Sequence, residues 1–201
     1  MKIIDITTEK QPHYRLGTNE KAVFFMLNRC GKITFELAGI GAEAHIFAFF
    51  IGKKNDKGEL NITQKHTAPK TISDVLVKSV LFDKSQYSYT GLITLIKQAR
   101  QGSASQENRA LLLSPLAAVS AKPSLEILAN DVKCRHAATS SSLNPESLFF
   151  VRSRGLSGTQ ATTLLVSGFF NGALEKIRAL GTNTDTVEKI RVKMQTQNMC
   201  L

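Results

Sequence analysis

The sequence predicts a mainly β protein with a short α-helical segment at its C-terminal end. Short apolar segments rich in Phe, Ile and Val, such as AVFFML (Ala22–Leu27), KITFEL (Lys32–Leu37) and AHIFAFFI (Ala44–Ile51), follow one another with Asn or Gly between them. No segment of helical length and period interrupts this series before Asn144. Beyond that point the apolar spacing turns helical and cap signatures appear. A run of strands without crossover helices fits a sandwich, a barrel or a solenoid of strands. The near absence of Asn-Gly turns counts against meanders.

Taken in order, Met1–Ile6 alternates weakly and reads as a first strand, and the three Phe-rich segments follow. Lys53–Gly58 (KKNDKG) is a polar loop or hairpin tip. Further strand-like segments are Glu59–Gln64, Asp74–Phe82, Gln86–Lys97, Arg109–Leu113 and Leu125–His136, the last divided by the Asn130-Asp131 turn signal. Ser103-Ala104-Ser105, Ser114-Pro115 and Lys122-Pro123 read as polar corners. Asn144-Pro145-Glu146 then opens a helix: Asn as N-cap, Pro in the first turn, Glu against the positive end of the dipole. Gly155 closes it in a left-handed conformation. Ser157 and Gln160 form a capping box for a second helix that stops at Gly181. Gly168 and Gly172 within it suggest close packing, since each costs about 1 kcal/mol relative to Ala. Val187–Met194 is a basic helical segment.

With 201 residues, 42% hydrophobic and 21% charged, the chain has the composition of a soluble globular protein. Its formal charge of +10 is scattered over the sequence without an aromatic-interleaved basic stripe. This pattern favours a solvated or partner-facing surface over nucleic-acid binding. Three cysteines, Cys30, Cys134 and Cys200, form no even disulfide framework, which suits a reducing cytoplasm. The first residues lack the pattern of a signal peptide, and no apolar run reaches the length of a membrane span. No phosphate-binding Gly-Lys-Ser/Thr loop is present, so no nucleotide is expected to bind this chain itself. The dinucleotide and nucleophile-elbow motifs are absent too, and the expectation is a protein without catalytic residues.

Lys133-Cys134-Arg135-His136 is the segment with metal chemistry. On a strand, Cys134 and His136 share one face, Lys133 and Arg135 the other. The pair then lies about 7 Å apart at Cα, near enough to ligate one metal or cluster, but it supplies only half of a four-ligand shell. Spacing alone leaves other readings open. On spacing alone, Cys134 beside Val132 reads more readily as a small buried hydrophobe, and His136 more readily as a hydrogen-bonded structural residue. Positive neighbours would lower the thiol pKa. His66 reads as structural. His13 and His45 have no partner nearby in sequence, Cys30 sits in a turn, and Cys200 lies one residue from the C-terminus.

NDVKCRHAAT (Asn130–Thr139) followed by LNPESLFFVRSRG (Leu143–Gly155) resembles the core signature of the SufB/SufD family of iron–sulfur cluster assembly scaffolds, closer to the SufD side. Gln64–Ile93, with its Thr71–Asp74 step, and Glu107–Val132 resemble further family blocks. The resemblance implies a right-handed parallel β-helix over residues 1–143, shortened at the N-terminus, and a helical segment over residues 144–201. It implies that Cys134 and His136 contribute ligands to the iron of a transient iron–sulfur cluster. The implied partners are a SufB-like subunit or a second copy of the chain, met edge to edge, and a SufC-like ABC ATPase docked on the helical segment. Leu148, Phe149, Arg152, Arg154 and Gly155 are the expected ATPase contacts. Family members are typically longer, which points to a minimal or fragmentary relative. Arg135 and Ala137 stand where small Ser- and Gly-like residues are common. The alternatives from other classes are a purely structural scaffold subunit without metal, and a basic nucleic-acid-binding β protein.

Overall fold

A computed structural model describes residues 1–198, with side chains through residue 196. Eleven strands precede three helices: β1 Lys2–Asp5, β2 His13–Leu16, β3 Lys21–Leu27, β4 Gly31–Leu37, β5 Glu43–Gly52, β6 Lys57–His66, β7 Ile72–Leu81, β8 Gln86–Leu95, β9 Ser103–Leu112, β10 Ala118–Ile127, β11 Lys133–Ser142, α1 Pro145–Arg152, α2 Gly158–Ala179 and α3 Thr184–Asn198. The chain alternates between two parallel sheets, ordered β1-β3-β5-β7-β9-β11 and β10-β8-β6-β4-β2. It is therefore a parallel β-helix with two strands to a coil, which resolves the choice left open by strand pattern alone. Register defines the coil: Glu43 pairs with Ile72, Ile72 with Ser103 and Ser103 with Lys133, steps of 29, 31 and 30 residues.

The corners hold that register. Asn19, Gly41, Lys70, Gln101 and Asp131 occupy one turn of successive coils, all with positive φ, at 57°, 71°, 60°, 58° and 57°. Successive turns are joined by backbone bonds: the Lys70 amide donates to the Arg100 carbonyl, and the Gln101 amide to the Asp131 carbonyl, both at 2.9 Å. A left-handed conformation costs a non-glycine residue roughly 1–2 kcal/mol. The ladder on each side of the corner offsets it, which is why Lys and Gln are tolerated there.

Two apolar layers stabilise the coil stack. Between the sheets, Tyr14, Phe24 and Phe35 pack with ring centroids 4.8–5.3 Å apart, continued by Ile46, Ile62 and Val75. On the outer face of the odd-numbered sheet, Phe25, Phe49, Leu76 and Val80 are covered by Phe170, Leu174 and Ile177 of α2 and Ile190 of α3. Each such side chain, fully buried, contributes on the order of 1.5–3 kcal/mol. Burial on both faces explains why β3 and β5 read as unbroken apolar runs instead of alternating ones.

The helix starts follow the sequence closely. The Asn144 side chain accepts from the amides of Glu146 and Ser147, and Ser157 with Gln160 completes a capping box. Gly155 and Gly181 have φ of 91° and 69°. Other expectations fail. Ser103–Ser105 is no corner but the start of β9, and Lys122-Pro123 lies inside β10. Pro123 is admitted because β10 pairs on one side only, with β8. Polar β2 went unread, and β11 runs on to Ser142. Gly168 faces open space, and a Cβ on Gly172 would meet only the Lys78 ammonium, at 3.7 Å, so close helix packing does not explain either glycine.

Candidate metal-ligating edge and its surroundings

β11 ends the odd-numbered sheet: among the described residues it pairs with β9 on one side and with nothing on the other. Cys134 stands opposite Ala104 and His136 opposite Gln106. Cys134 packs against the small apolar cluster of Ile93, Leu95, Ala99, Ala104 and Ala129, so its side of β11 faces the inside of the solenoid. By alternation His136 shares that side, while exposed Lys133 and Arg135 take the other. The two candidate ligands are thus together, at the mouth of the last coil. His136 is exposed and has no hydrogen-bond or ion-pair partner among the described residues.

The thiol departs from expectation. Burial pushes the Cys134 pKa up, opposed only in part by a hydrogen bond with the Ala104 backbone. Lys133 and Arg135, on the opposite side of the strand, do not lower it. No group of three or more His, Cys, Asp or Glu side chains able to hold a metal occurs among the described residues. A sulfur and an imidazole suit iron in a cluster, as two donors of the four that such a site takes.

The outer side of the same strands carries an arrangement that sequence reasoning missed. His45, Asp74, Ser105 and Arg135 fall on one row across β5, β7, β9 and β11. His45 Nε2 lies 2.8 Å from Glu43 Oε1 and its Nδ1 lies 3.2 Å from Asp74 Oδ2, while the Ser105 hydroxyl donates to Asp74. Burial alone would depress the His45 pKa, but the two carboxylates outweigh it and the net shift is upward. This row floors a cleft of about 570 Å³ that Glu107 and Arg109 also line, with Lys176 of α2 at its rim. The expectation that His45 has no partner nearby in sequence fails at Glu43, two residues away. Asp74, a whole coil later, gave no signal in the sequence.

His66 is structural, as read. It is fully buried, with Nδ1 2.7 Å from Thr71 Oγ1 and Nε2 2.7 Å from Ser73 Oγ. The Thr71 hydroxyl donates to the Ala68 carbonyl and Ser73 accepts from Gln64 Nε2. Thr71 therefore accepts from Nδ1–H and Ser73 donates to Nε2, which describes a neutral ring. Burial pulls its pKa down to about 4. The Thr71–Asp74 step is thereby accounted for: Thr71 and Ser73 hold His66 inside the coil, and Asp74 holds His45 outside it.

The helical segment presents a second surface. None of the α1 side chains is fully buried. Phe149 is 74% and Phe150 56% exposed, the Arg154 guanidinium stacks 4.2 Å from the Phe150 ring centroid, and Arg152 is exposed. Leu148, half-buried, lines a groove of about 960 Å³ with Leu113, Pro115, Leu143 and Thr162. Phe150 is exposed beside the expected contact residues, although sequence reading passed over it. Cys30 is exposed and lines a different groove, beside Lys57 and Tyr87. Cys200 lies outside the described residues. Among the described residues, no helix is long and apolar enough to cross a membrane.

The comparisons with known proteins agree with these blocks. The family model described as "SUF system FeS cluster assembly, SufBD core domain" matches residues 27–169. The chain belongs to the SufBD family. The match reaches well upstream of Gln64, where the resemblance read from sequence begins, and takes in the segments Lys32–Leu37 and Ala44–Ile51. The iron-sulfur cluster assembly protein SufD of Escherichia coli is 30% identical over 155 residues, 77% of this chain and 37% of that protein. An iron-sulfur cluster assembly SufBD family protein of Synechocystis is 36% identical over 209 aligned positions, 84% of this chain and 46% of that protein. The iron-sulfur cluster assembly protein SufB of Bacillus subtilis is 27% identical over 133 residues, 66% of this chain and 29% of that protein. This SufBD chain spans less than half the length of each of these relatives.

Proposed function

We propose that this SufBD chain is a SufD-like scaffold subunit in which Cys134 and His136 donate to the iron of a nascent iron–sulfur cluster held transiently as cargo. One observation carries the reading: a thiol and an unpartnered imidazole lie together on the inner face of a terminal strand whose outer edge is open. A SufB-like subunit, or a second copy of the chain, placed against that edge would supply the missing donors. Ligation takes the proton from a thiol whose pKa burial has raised, so cluster retention should increase with pH. The exposed α1 surface, with Leu148, Phe149, Arg152, Arg154 and Gly155, is the docking site for a SufC-like ABC ATPase, and α2 connects it mechanically to the sheet that ends in β11.

Anaerobic reconstitution with iron and sulfide tests the cluster. A visible chromophore should form on the wild type, co-expressed with its SufB-like partner, and be lost in Cys134→Ser and His136→Ala. Equal spectra from wild type and both variants would remove the ligand role. The raised thiol pKa favours one second reading, a structural subunit that carries no cluster. Co-purification of an ABC-type ATPase with the wild type, weakened by Phe149→Asp, together with absence of the chromophore, would select it.

A further inference from the structure

Gln106 is 1% exposed, and neither its Oε1 nor its Nε2 has a hydrogen-bond partner among the described residues. A native side chain in that state calls for a specific explanation. Its amide crosses the interior of the solenoid to Gly91 on the opposite sheet, where a Cβ would stand 2.1 Å from Oε1 and 2.4 Å from Cδ. The glycine is what gives the amide room. One rung further along the odd-numbered sheet, on the same inner face, stands His136, at the spacing of about 4.8 Å between neighbouring strands. Its ring is likewise without a partner among the described residues. The other buried amides lie elsewhere: Gln64 is engaged with Ser73 and the Ser105 carbonyl, and Asn108 stands opposite Ala138, which has no polar side chain.

We propose that Gln106 is the positioning residue for His136. Cradled against Gly91, its amide meets one ring nitrogen when the exposed His136 imidazole turns inward, and that bond fixes the tautomer and leaves the other nitrogen directed at the open edge. A ligating histidine is usually oriented through its second nitrogen in this way. The inference rests on the reading of His136 as a donor, but its test needs no iron.

Nitrogen-15 spectra of histidine-labelled apo protein at mildly alkaline pH report the tautomer directly. The wild type should show one dominant tautomer at His136, and Gln106→Leu the mixture of a free imidazole. Gly91→Ala, which displaces the amide without removing it, should give the same mixture. Gln106→Glu, whose carboxylate still accepts from a ring N–H, should restore a single form. A free-imidazole mixture in the wild type, or an unchanged His136 signal in both Gln106→Leu and Gly91→Ala, overturns the proposal. Should Gln106→Leu not fold, Gly91→Ala and Gln106→Glu decide it, because the clash at Gly91 falls on the far end of a flexible side chain. A failed reconstitution with normal tautomer spectra would count against the cluster and not against Gln106.

Discussion

The early coils and the last coil are built on the same ladder but filled differently. Between β2, β3 and β4 the interior is aromatic, with Tyr14, Phe24 and Phe35 in contact. From β6 onward polar side chains join the apolar ones inside: Gln64, His66, Ser73, Gln106 and Asn108 are all buried, alongside Ile62, Val75 and Tyr89. The early outer face lies under α2 and α3, whereas most of β11 is exposed. The difference separates two tasks. Stability is concentrated where both faces of the odd-numbered sheet are covered, and the terminal coil, held mainly by backbone bonds, keeps its side chains available.

Substitutions at the two ends should therefore differ widely. Phe35→Ala, in the aromatic interior, should destabilise by about 3–5 kcal/mol in urea titration. A loss below 1 kcal/mol would mean that the early coils are not the stable part.

The polar interior should make stability sensitive to acid. His66 has a pKa near 4 when folded against about 6.5 unfolded. Between those values the unfolded chain binds the extra proton, so stability is fully present above pH 6.5 and falls as pH drops toward 4. The loss is on the order of 3 kcal/mol. The urea midpoint measured from pH 7 to 5 should track it, and His66→Gln should flatten the slope over that window.

Lys78 sharpens the contrast from the outer face. Its ammonium is buried beneath α2, donates to the Phe169 carbonyl and lies 4.5 Å from the Phe169 ring centroid. Burial pulls its pKa down to about 8, helped by Arg109 and Lys176. An unpaired buried charge opposes folding, so Lys78→Met should stabilise by about 1–2 kcal/mol at pH 7. The gain should shrink as pH rises above 8, where the native lysine is already neutral. At the exposed end, Ser140→Ala on β11 should change stability by less than about 0.5 kcal/mol.

The sequence disclosed the coils whose interior is apolar and concealed those whose interior is not. AVFFML and AHIFAFFI announce β3 and β5 because both faces are buried. SASQEN hides the first half of β9 because Gln106 and Asn108 fill inner positions that a strand pattern expects to be apolar. The corners were unreadable for another reason: Lys70 and Gln101 adopt left-handed backbone because of their place above Gly41, not because of their residue type. Cys134 and His136 were legible as a pair, since strand alternation alone puts them on one side. His45 with Asp74, and Gln106 with His136, were not, because each pair requires the length of a coil to be known in advance.

Pro123 decides which flank of the last coil can accept a neighbour. In β10 the even-numbered amides bond back to β8, as Ala118 and Leu128 do at its ends, so the odd-numbered positions point outward and Pro123 removes one donor from that row. A strand laid along β10 would meet a gap halfway. Along β11, whose even-numbered amides point outward because Lys133 donates to Gly102, the row is complete through Cys134 and His136. In the edge-to-edge pairing proposed above, lateral growth of the sheet would thus be directed to the side that carries the sulfur.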